Sequence, residues 1–329
     1  MSSLRKLITA VVSVGVVGAL LTGTAVAPAQ AANKKIAFVM GAESDPFFQA
    51  MKVGAEAAAK ANNIDLIWQG DPSEYSPATQ IPVVDQVLAQ KPDALVLIPT
   101  DPTALQASVA KAKAAGIPVI NVDTRVNDLT DVLSFITGDN ADGGAKAADA
   151  LAKAIKYKKG KTYQVVVGLT SATATTNVAR LDGFSKQIAK KYPGIKIVDK
   201  AYSQSQPAKA NTNVSNWLTK YPKLAGIFAI DGTNAAGAAA AIQAKGLKGK
   251  VALVGYDAYK ANVDLIGKGV FTALVAQDPA AEAKLAIEYL VKYFAGQTSG
   301  IKKEVVIPNV VLSKSSTKAD LVKYTYVQK

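Results

Sequence analysis

Residues 94–123, ALVLIPTDPTALQASVAKAKAAGIPVINVD, hold the architecture of the whole chain in one unit. The apolar run ALVLIP leads through Thr100 to Asp101; an Ala- and Lys-rich stretch over 103–115 has helical spacing; Gly116 stops it; the run PVINV then ends in Asp123. Both runs are apolar throughout rather than alternating, the pattern of strands buried on both faces in a parallel sheet. A helix between two such strands makes a right-handed crossover unit. Four further apolar runs also end in an acid: LSFITG in Asp139, IFAI in Asp231, VALVGY in Asp257 and FTALVAQ in Asp278. Parallel strands in an open α/β sheet bring their C-terminal ends to one edge, and ligands bind in the crevice beyond it. Carboxylates gathered there offer lone pairs to hydroxyls, so the pattern points to a polyhydroxylated small molecule.

Outward from this unit the alternation continues in both directions. Before it, KIAFVM reads as a strand, 46–62 as a helix, IDLIWQ as a strand and 77–90 as a helix. After it, a helix over 141–157 opens a second series: strand YQVVVGL, helix 176–191, strand IKIVDKAY, helix 208–220 and strand GIFAI. Helix 235–245, strand KVALVGY, helix 259–268, strand FTALVAQ and helix 280–295 complete it. Two such series in tandem predict an α/β protein of two lobes, each a parallel sheet with helices.

The chain has 329 residues, enough for two domains, and at 49% hydrophobic it has ample material for two cores. It has no Cys and no His. Thiol nucleophiles, disulfides, Cys/His metal sites and imidazole acid–base chemistry are thereby excluded, as are His-based serine triads; no cofactor or metal is expected. Residues 1–31 read as an export signal, with Arg5 and Lys6, an apolar core over 7–21 too short for a span, and Ala29-Gln30-Ala31 as cleavage site. No Cys follows that core to take a lipid. The mature chain is expected free outside the cytoplasmic membrane, in a periplasm or at the outer face. There, 36 basic residues outnumber 25 acidic ones. Lysines such as Lys153, Lys156, Lys158, Lys159 and Lys161 lie along helical stretches without interleaved aromatics, a solvated face rather than a nucleic-acid surface.

Asp45-Pro46-Phe47-Phe48, followed by Gly54-Ala55, resembles the Asn-Pro-Phe-Phe signature of ribose-type periplasmic sugar-binding proteins. Thr100-Asp101, Asp123, Gly138-Asp139-Asn140 and Arg180-Leu181-Asp182-Gly183-Phe184 also fit that family. So do Val254-Gly255-Tyr256-Asp257 and Val275-Ala276-Gln277-Asp278-Pro279, in order and with the family's spacing. The resemblance implies two Rossmann-like lobes joined by three crossover strands near Gly138, Gln277 and Asn309, the type I periplasmic binding protein fold. It also implies a sugar held in the cleft without catalysis, and a partner, the permease of an ABC importer. On this reading residues 33–138 with 278–308 form the N-terminal lobe of a monomer, and 139–277 with 309–329 the C-terminal lobe. Repressors that share this fold carry a DNA-reading module where this chain has its export signal.

By the resemblance, Asp45 belongs to the site, and Phe47 and Phe48 cover the apolar face of a sugar; as ordinary helix-face residues the two rings would be core. Asp123 and Asp257 close strands at equivalent places in the two halves. Each carboxylate can accept two hydroxyls, or can instead cap the helix that follows. Gln277 is placed by the resemblance at a crossing that faces the cleft. Asp231 stands where the family commonly has Asn, and an ionised Asp cannot donate. The family often has Arg directly after the first-half Asp; here Thr124 intervenes and Arg125 follows. A second family Arg aligns with Val178, with Arg180 two residues on. The second-lobe aromatic platform aligns near Ser205, with Tyr202 close by. Gly41, Asp101 and Asp139 rank second, the two acids as caps. These departures leave the ligand open among pentoses, hexoses and open-chain polyols.

The leading function is an extracytoplasmic solute-binding protein that closes on a monosaccharide or polyol. The alternatives are a secreted carbohydrate-active enzyme using paired carboxylates, and a chemosensory sugar co-receptor.

Overall fold

The computed structural model describes residues 32–327; the export-signal reading falls outside them. The first series runs β1 (Lys34–Ala42), α1 (Pro46–Ala61), β2 (Ile64–Asp71), α2 (Pro77–Ala89), β3 (Ala94–Leu97), α3 (Gln106–Ala114), β4 (Val119–Val122) and β5 (Val132–Gly138). The second begins α4 (Asn140–Ala154), β6 (Tyr163–Leu169), α5 (Thr175–Lys191), β7 (Ile195–Tyr202) and α6 (Pro207–Lys220). It continues β8 (Leu224–Ala229), α7 (Gly232–Ala244), β9 (Ala252–Tyr256), α8 (Lys260–Gly267) and β10 (Ala273–Ala276). After these come α9 (Pro279–Phe294), β11 (Glu304–Ile307), β12 (Val310–Ser313) and α10 (Lys318–Tyr324).

Among the described residues the strands form two six-stranded sheets, β11-β5-β4-β3-β1-β2 and β12-β10-β9-β8-β6-β7. Pairing is parallel throughout except between β10 and β12. The absence of alternation in the apolar runs has a direct cause: helices cover both faces. Ile36, Phe38 and Met40 of β1 pack with Met51 and Ala55 of α1 and with Ala283 of α9. Ala37 and Val39, pointing the other way, pack with Val84 and Val87 of α2 and Val109 of α3. Proline begins α1, α2, α6 and α9, where its fixed φ suits the first turn and no N–H is missed.

The chain passes between the sheets three times: from β5 to α4, from β10 to α9, and from β11 to β12. Side chains tie these passages together. Asn309 donates through Nδ2 to the Asp139 carbonyl at 2.9 Å and to the Tyr256 hydroxyl at 2.6 Å, and Lys146 reaches the Asn309 carbonyl at 2.8 Å.

Three details differ from the sequence reading. The helix expected over 103–115 starts only at Gln106, because Asp101 folds the preceding residues into a turn, accepting from Thr103 N at 2.9 Å and Ala104 N at 2.8 Å. A loop without a helix joins β4 to β5. The four-residue strands β11 and β12 carry no long apolar run, and their partners lie far away in sequence.

Helices α4 and α5 meet backbone to backbone. A Cβ built at Gly144 would fall 2.0 Å from the Arg180 carbonyl oxygen, and one at Gly183 would fall 2.0 Å from that of Ala141. This contact sets where α5 presents Arg180. Gly183→Ala should force the helices apart and lower unfolding free energy by about 1–3 kcal/mol. Urea denaturation checks this; an unchanged midpoint would contradict the close-packing account.

Candidate functional site

The C-terminal strand ends of both sheets converge on one pocket. Asp45 follows β1, Asp123 β4, Thr170 β6, Asp231 β8, Asp257 β9 and Gln277 β10. Phe47, Phe48, Tyr75, Thr176, Asn177, Arg180, Ser205 and Tyr259 complete the lining. The cavity between these side chains measures only about 40 Å³, far below the roughly 300–1,000 Å³ of small-molecule sites, so the lining side chains stand close together.

Asp123 and Asp257 are equivalent in conformation as well as position. Both adopt left-handed backbone, with φ of 60° and 63°. Aspartate tolerates this region better than most residues, and such strain persists where the surroundings dictate it. Each donates its N–H to the adjacent strand, Asp123 to the Ile136 carbonyl at 2.8 Å and Asp257 to that of Val275 at 2.7 Å.

Their carboxyls differ. Asp257 is saturated: Oδ1 accepts from Gln277 Nε2 at 2.8 Å and the Tyr326 hydroxyl at 3.0 Å, and Oδ2 from Gly232 N at 2.9 Å. Asp231 is saturated too. It caps α7 by accepting from Asn234 N at 2.9 Å, and it holds the hydroxyls of Thr170 and Thr233 at 2.7 and 2.8 Å. Asp45 caps α1, accepting from Phe47 N at 2.9 Å, and takes the Tyr259 hydroxyl on the same oxygen. Its Oδ2 has no protein donor. The Asp123 carboxyl has none at all, and its Oδ1 is sealed from solvent.

Arg180 is the cation of the lining. Nε donates to Asn140 Oδ1 at 2.7 Å and Nη1 to the Ile230 carbonyl at 3.1 Å, while the guanidinium lies 3.8 Å from the Tyr256 ring centroid. Burial alone would weaken its basicity; Tyr256, Asp257, Asp123 and Asp231 more than offset that and raise its pKa. Burial also drives the Asp45 and Asp123 carboxyls up to about 7, and raises Asp257 against the pull of Arg180. Phe47 and Phe48 are buried, edge to face at 5.4 Å, with Tyr326 6.1 Å from Phe47.

Of the residues expected from sequence, Asp45, Phe47, Phe48, Asp123, Arg180, Ser205, Asp231, Asp257 and Gln277 come together here. The others stand apart. Thr124 spends its hydroxyl on the Pro99 carbonyl at 2.8 Å. Arg125 lies in a neighbouring groove, 5.9 Å from the Phe135 ring centroid. Tyr202 is 42% exposed at the end of β7. Asp101 closes its turn, and Asp139 caps α4 by accepting from Asp142 N at 3.1 Å. Gly41 shapes the wall indirectly, since a Cβ there would fall 2.7 Å from Thr100 and 2.8 Å from Tyr75. The sequence reading missed Tyr75, Thr170, Thr176, Asn177 and Tyr259. Thr170 ends YQVVVGL as acids end the other runs, a signal set aside because the pattern counted only acids.

A pocket walled by saturated carboxyls, open carboxyls, one guanidinium and aromatic rings, at the shared edge of two sheets, is the arrangement of a solute-binding protein. A family model for the periplasmic binding protein domain matches residues 36–298. The chain is 32% identical over 286 residues to the D-ribose/D-allose-binding protein of Pseudomonas aeruginosa, covering 84% of this chain and 87% of that one. It is 30% identical over 264 residues to the ribose import binding protein of Bacillus subtilis, covering 79% and 83%. An ABC transporter solute-binding protein of Agrobacterium vitis, solved with α-D-tagatopyranose, matches with TM-score 0.84 at 33% identity, over 90% of this chain and all of that one. The chain belongs to the periplasmic binding protein family. These relatives are substrate-binding proteins, and the paired-carboxylate enzyme reading finds no support among them.

The raised carboxyls give the pocket a pH signature. A group whose folded pKa exceeds its unfolded value favours the folded state when protonated, and the penalty accumulates between the two values. For Asp45 and Asp123 that window runs from 3.8 to about 7. Stability of the ligand-free protein should therefore fall across pH ~4–7 by as much as several kcal/mol while the pocket stays shut. Asp45→Asn with Asp123→Asn should lessen the slope in denaturation at stepped pH, the remainder coming from the buried acids Asp257 and Glu282, which are raised as well. A wild-type profile flat across that window would contradict the burial assigned to these groups.

Proposed function

We propose that this pocket binds one neutral monosaccharide or open-chain polyol between two lobes that close on it. The lobes are 33–138 with 278–308 and 139–277 with 309–329, moving about the three crossings. The observation that carries this reading is the division of labour among the pocket carboxyls. Asp257 and Asp231 are filled by protein donors and act as frame, whereas Asp45 and Asp123 keep oxygens for hydroxyls. Arg180 and Asn177 add polar groups, and Phe47 and Phe48 cover a C–H face. The ligand's hydroxyls meet acceptors from both sheets only when the cleft is shut, so binding shifts the population toward closure.

As a family member the chain serves an ABC importer, and family membership implies an exported protein. It acts as a monomer, and with no cysteine in the chain it carries no thioether-linked lipid. Among the described residues no helix is long and apolar enough to cross a membrane.

A panel of pentoses, hexoses and polyols, read by thermal shift and calorimetry, tests this. One member should bind saturably, adding about 2.7 kcal/mol of stability at a hundredfold excess over Kd, without product. Asp123→Asn, which suits the left-handed backbone there but turns an open acceptor into a donor, should weaken that binding roughly 100-fold or more. No response to any member, or an Asp123→Asn protein that binds normally, would overturn the assignment.

A further inference from the structure

The two lobes proposed above differ sharply in charge. Residues 33–138 with 278–308 hold 12 basic and 16 acidic side chains, whereas 139–277 with 309–329 hold 24 basic and 9 acidic. The excess gathers in one place. In the parallel part of the second sheet, each helix returns the chain to the edge where strands begin, opposite the pocket. The helix ends and connections there read KAIKYKKGK over 153–161 before β6, KKYPGIK over 190–196 before β7 and KYPK over 220–223 before β8. KGLKGK over 245–250 precedes β9, and GKG over 267–269 precedes β10. Because β12 runs antiparallel to β10, the segment SKSSTK over 313–318 at its end reaches the same edge. The six segments hold sixteen lysines and no acid.

All of these lysines are exposed, and among the described residues only Lys191 and Lys220 pair with an acid, Asp149 at 3.5 Å and Asp199 at 2.9 Å. The first lobe treats its lysines differently: Lys34, Lys111 and Lys113 each meet an acid, at 2.7, 2.8 and 3.5 Å. Cations in the last turn of a helix complement its dipole, which accounts for Lys153, Lys190, Lys191 and Lys220. It does not account for the loop lysines or for the missing acids. Like charges gathered this way repel one another, and a polyanion that meets them removes the repulsion.

The array is held in place. Tyr157 packs against Tyr163 at 5.6 Å and against Tyr192 of the next segment at 5.3 Å between ring centroids. Lys158 N donates to the Tyr163 hydroxyl at 3.1 Å, and Gly194 N to that of Tyr157 at 3.2 Å. Neighbouring strands lie about 4.8 Å apart, so the six spread the lysines over roughly 25 Å. The three rings are half-buried against one another and leave no platform on which bases could stack. Among the described residues, none of the exposed large apolar side chains lies in these segments, so nothing here enters the apolar boundary of a bilayer. Charge along a line is what remains, and it matches a hydrated linear polyanion.

We propose that this edge of the second lobe is a docking surface for a phosphodiester polymer of the cell envelope, whose phosphates the lysine ammoniums hold. The envelope location rests on family membership; the docking does not rest on the sugar reading. The pocket lies at the other end of the same strands, roughly 20 Å away along the seven residues of β6, so docking leaves the cleft free. The edge gives a chain without cysteine a means of staying in the envelope.

Poly(glycerol phosphate) of defined length, titrated against the protein in a calorimeter, tests the proposal. Binding should be saturable at about 50 mM salt, and the affinity should fall at least about tenfold by about 200 mM. Lys156→Gln, Lys158→Gln, Lys159→Gln and Lys161→Gln together should weaken binding about tenfold or more and lessen the salt dependence, without lowering the melting temperature. Lys186→Gln, Lys200→Gln, Lys209→Gln and Lys260→Gln remove the same charge from the rest of the lobe and should stay within about threefold of wild type. No binding at the lower salt, or equal weakening by both sets, would overturn the proposal. Vesicles of phosphatidylglycerol and phosphatidylcholine in equal parts should bind more weakly than the polymer. Vesicle binding as tight or tighter would assign the edge to a bilayer and overturn the proposal too. These readouts need no sugar, so a sugar panel without a hit leaves them to decide the edge.

Discussion

Arg180 carries the one positive charge among the pocket-lining side chains, facing the carboxyls of Asp45, Asp123, Asp231 and Asp257. Like charges this close in a dry interior would repel strongly, and desolvation alone already drives several of them toward protonation. The guanidinium is held from three directions: the glycine contact of α4 with α5, the Tyr256 ring beneath it, and Asn140 beside it. Two of these holds also touch a passage between the sheets: Asn140 begins α4 after the first crossing, and Asn309 at the third binds Tyr256. At the second crossing Gln277 binds Asp257, whose charge acts on Arg180 without a hydrogen bond. The charge balance of the pocket and the geometry of the crossings are therefore coupled.

That coupling explains how binding becomes movement. The saturated acids, Asp231 and Asp257, hold helix starts and strand ends in register and leave little for a ligand. The open oxygens of Asp45 and Asp123 lie on the other sheet, and a ligand that bonds to them while meeting Arg180 bridges the two. Differential contact of this kind is the requirement for a ligand to shift a conformational equilibrium. The left-handed turns at Asp123 and Asp257 place the two acids symmetrically at the ends of β4 and β9, so each sheet presents one to the same space.

Much of this was legible in the chain. Unbroken apolar runs give parallel, doubly covered strands, and the acids that end them mark the ligand edge, because both features are local. The division of the acids was not legible. Asp231 and Asp257 look alike to Asp123 in sequence, and partners distant in the chain, Thr170 for Asp231 and Gln277 for Asp257, help to distinguish filled oxygens from open ones. Tyr75 enters the site from a loop with no pattern, admitted by the bare backbone at Gly41. Glu282 carries no local mark of burial in the sequence; it is buried because α9 crosses back to cover β4 and β5. Strands β11 and β12 escaped for the same reason, since their pairing partners are set by the crossings rather than by neighbours.

The central claim, a clamp whose closure is driven by bridging ligand contacts around Arg180, is tested most directly by small-angle X-ray scattering with and without the bound sugar. The account predicts that the radius of gyration contracts on saturation in the wild-type protein, and that Arg180→Gln shows no contraction at the same sugar concentration. A wild-type protein that binds sugar fully with unchanged dimensions, or an Arg180→Gln protein that contracts as the wild type does, would contradict it.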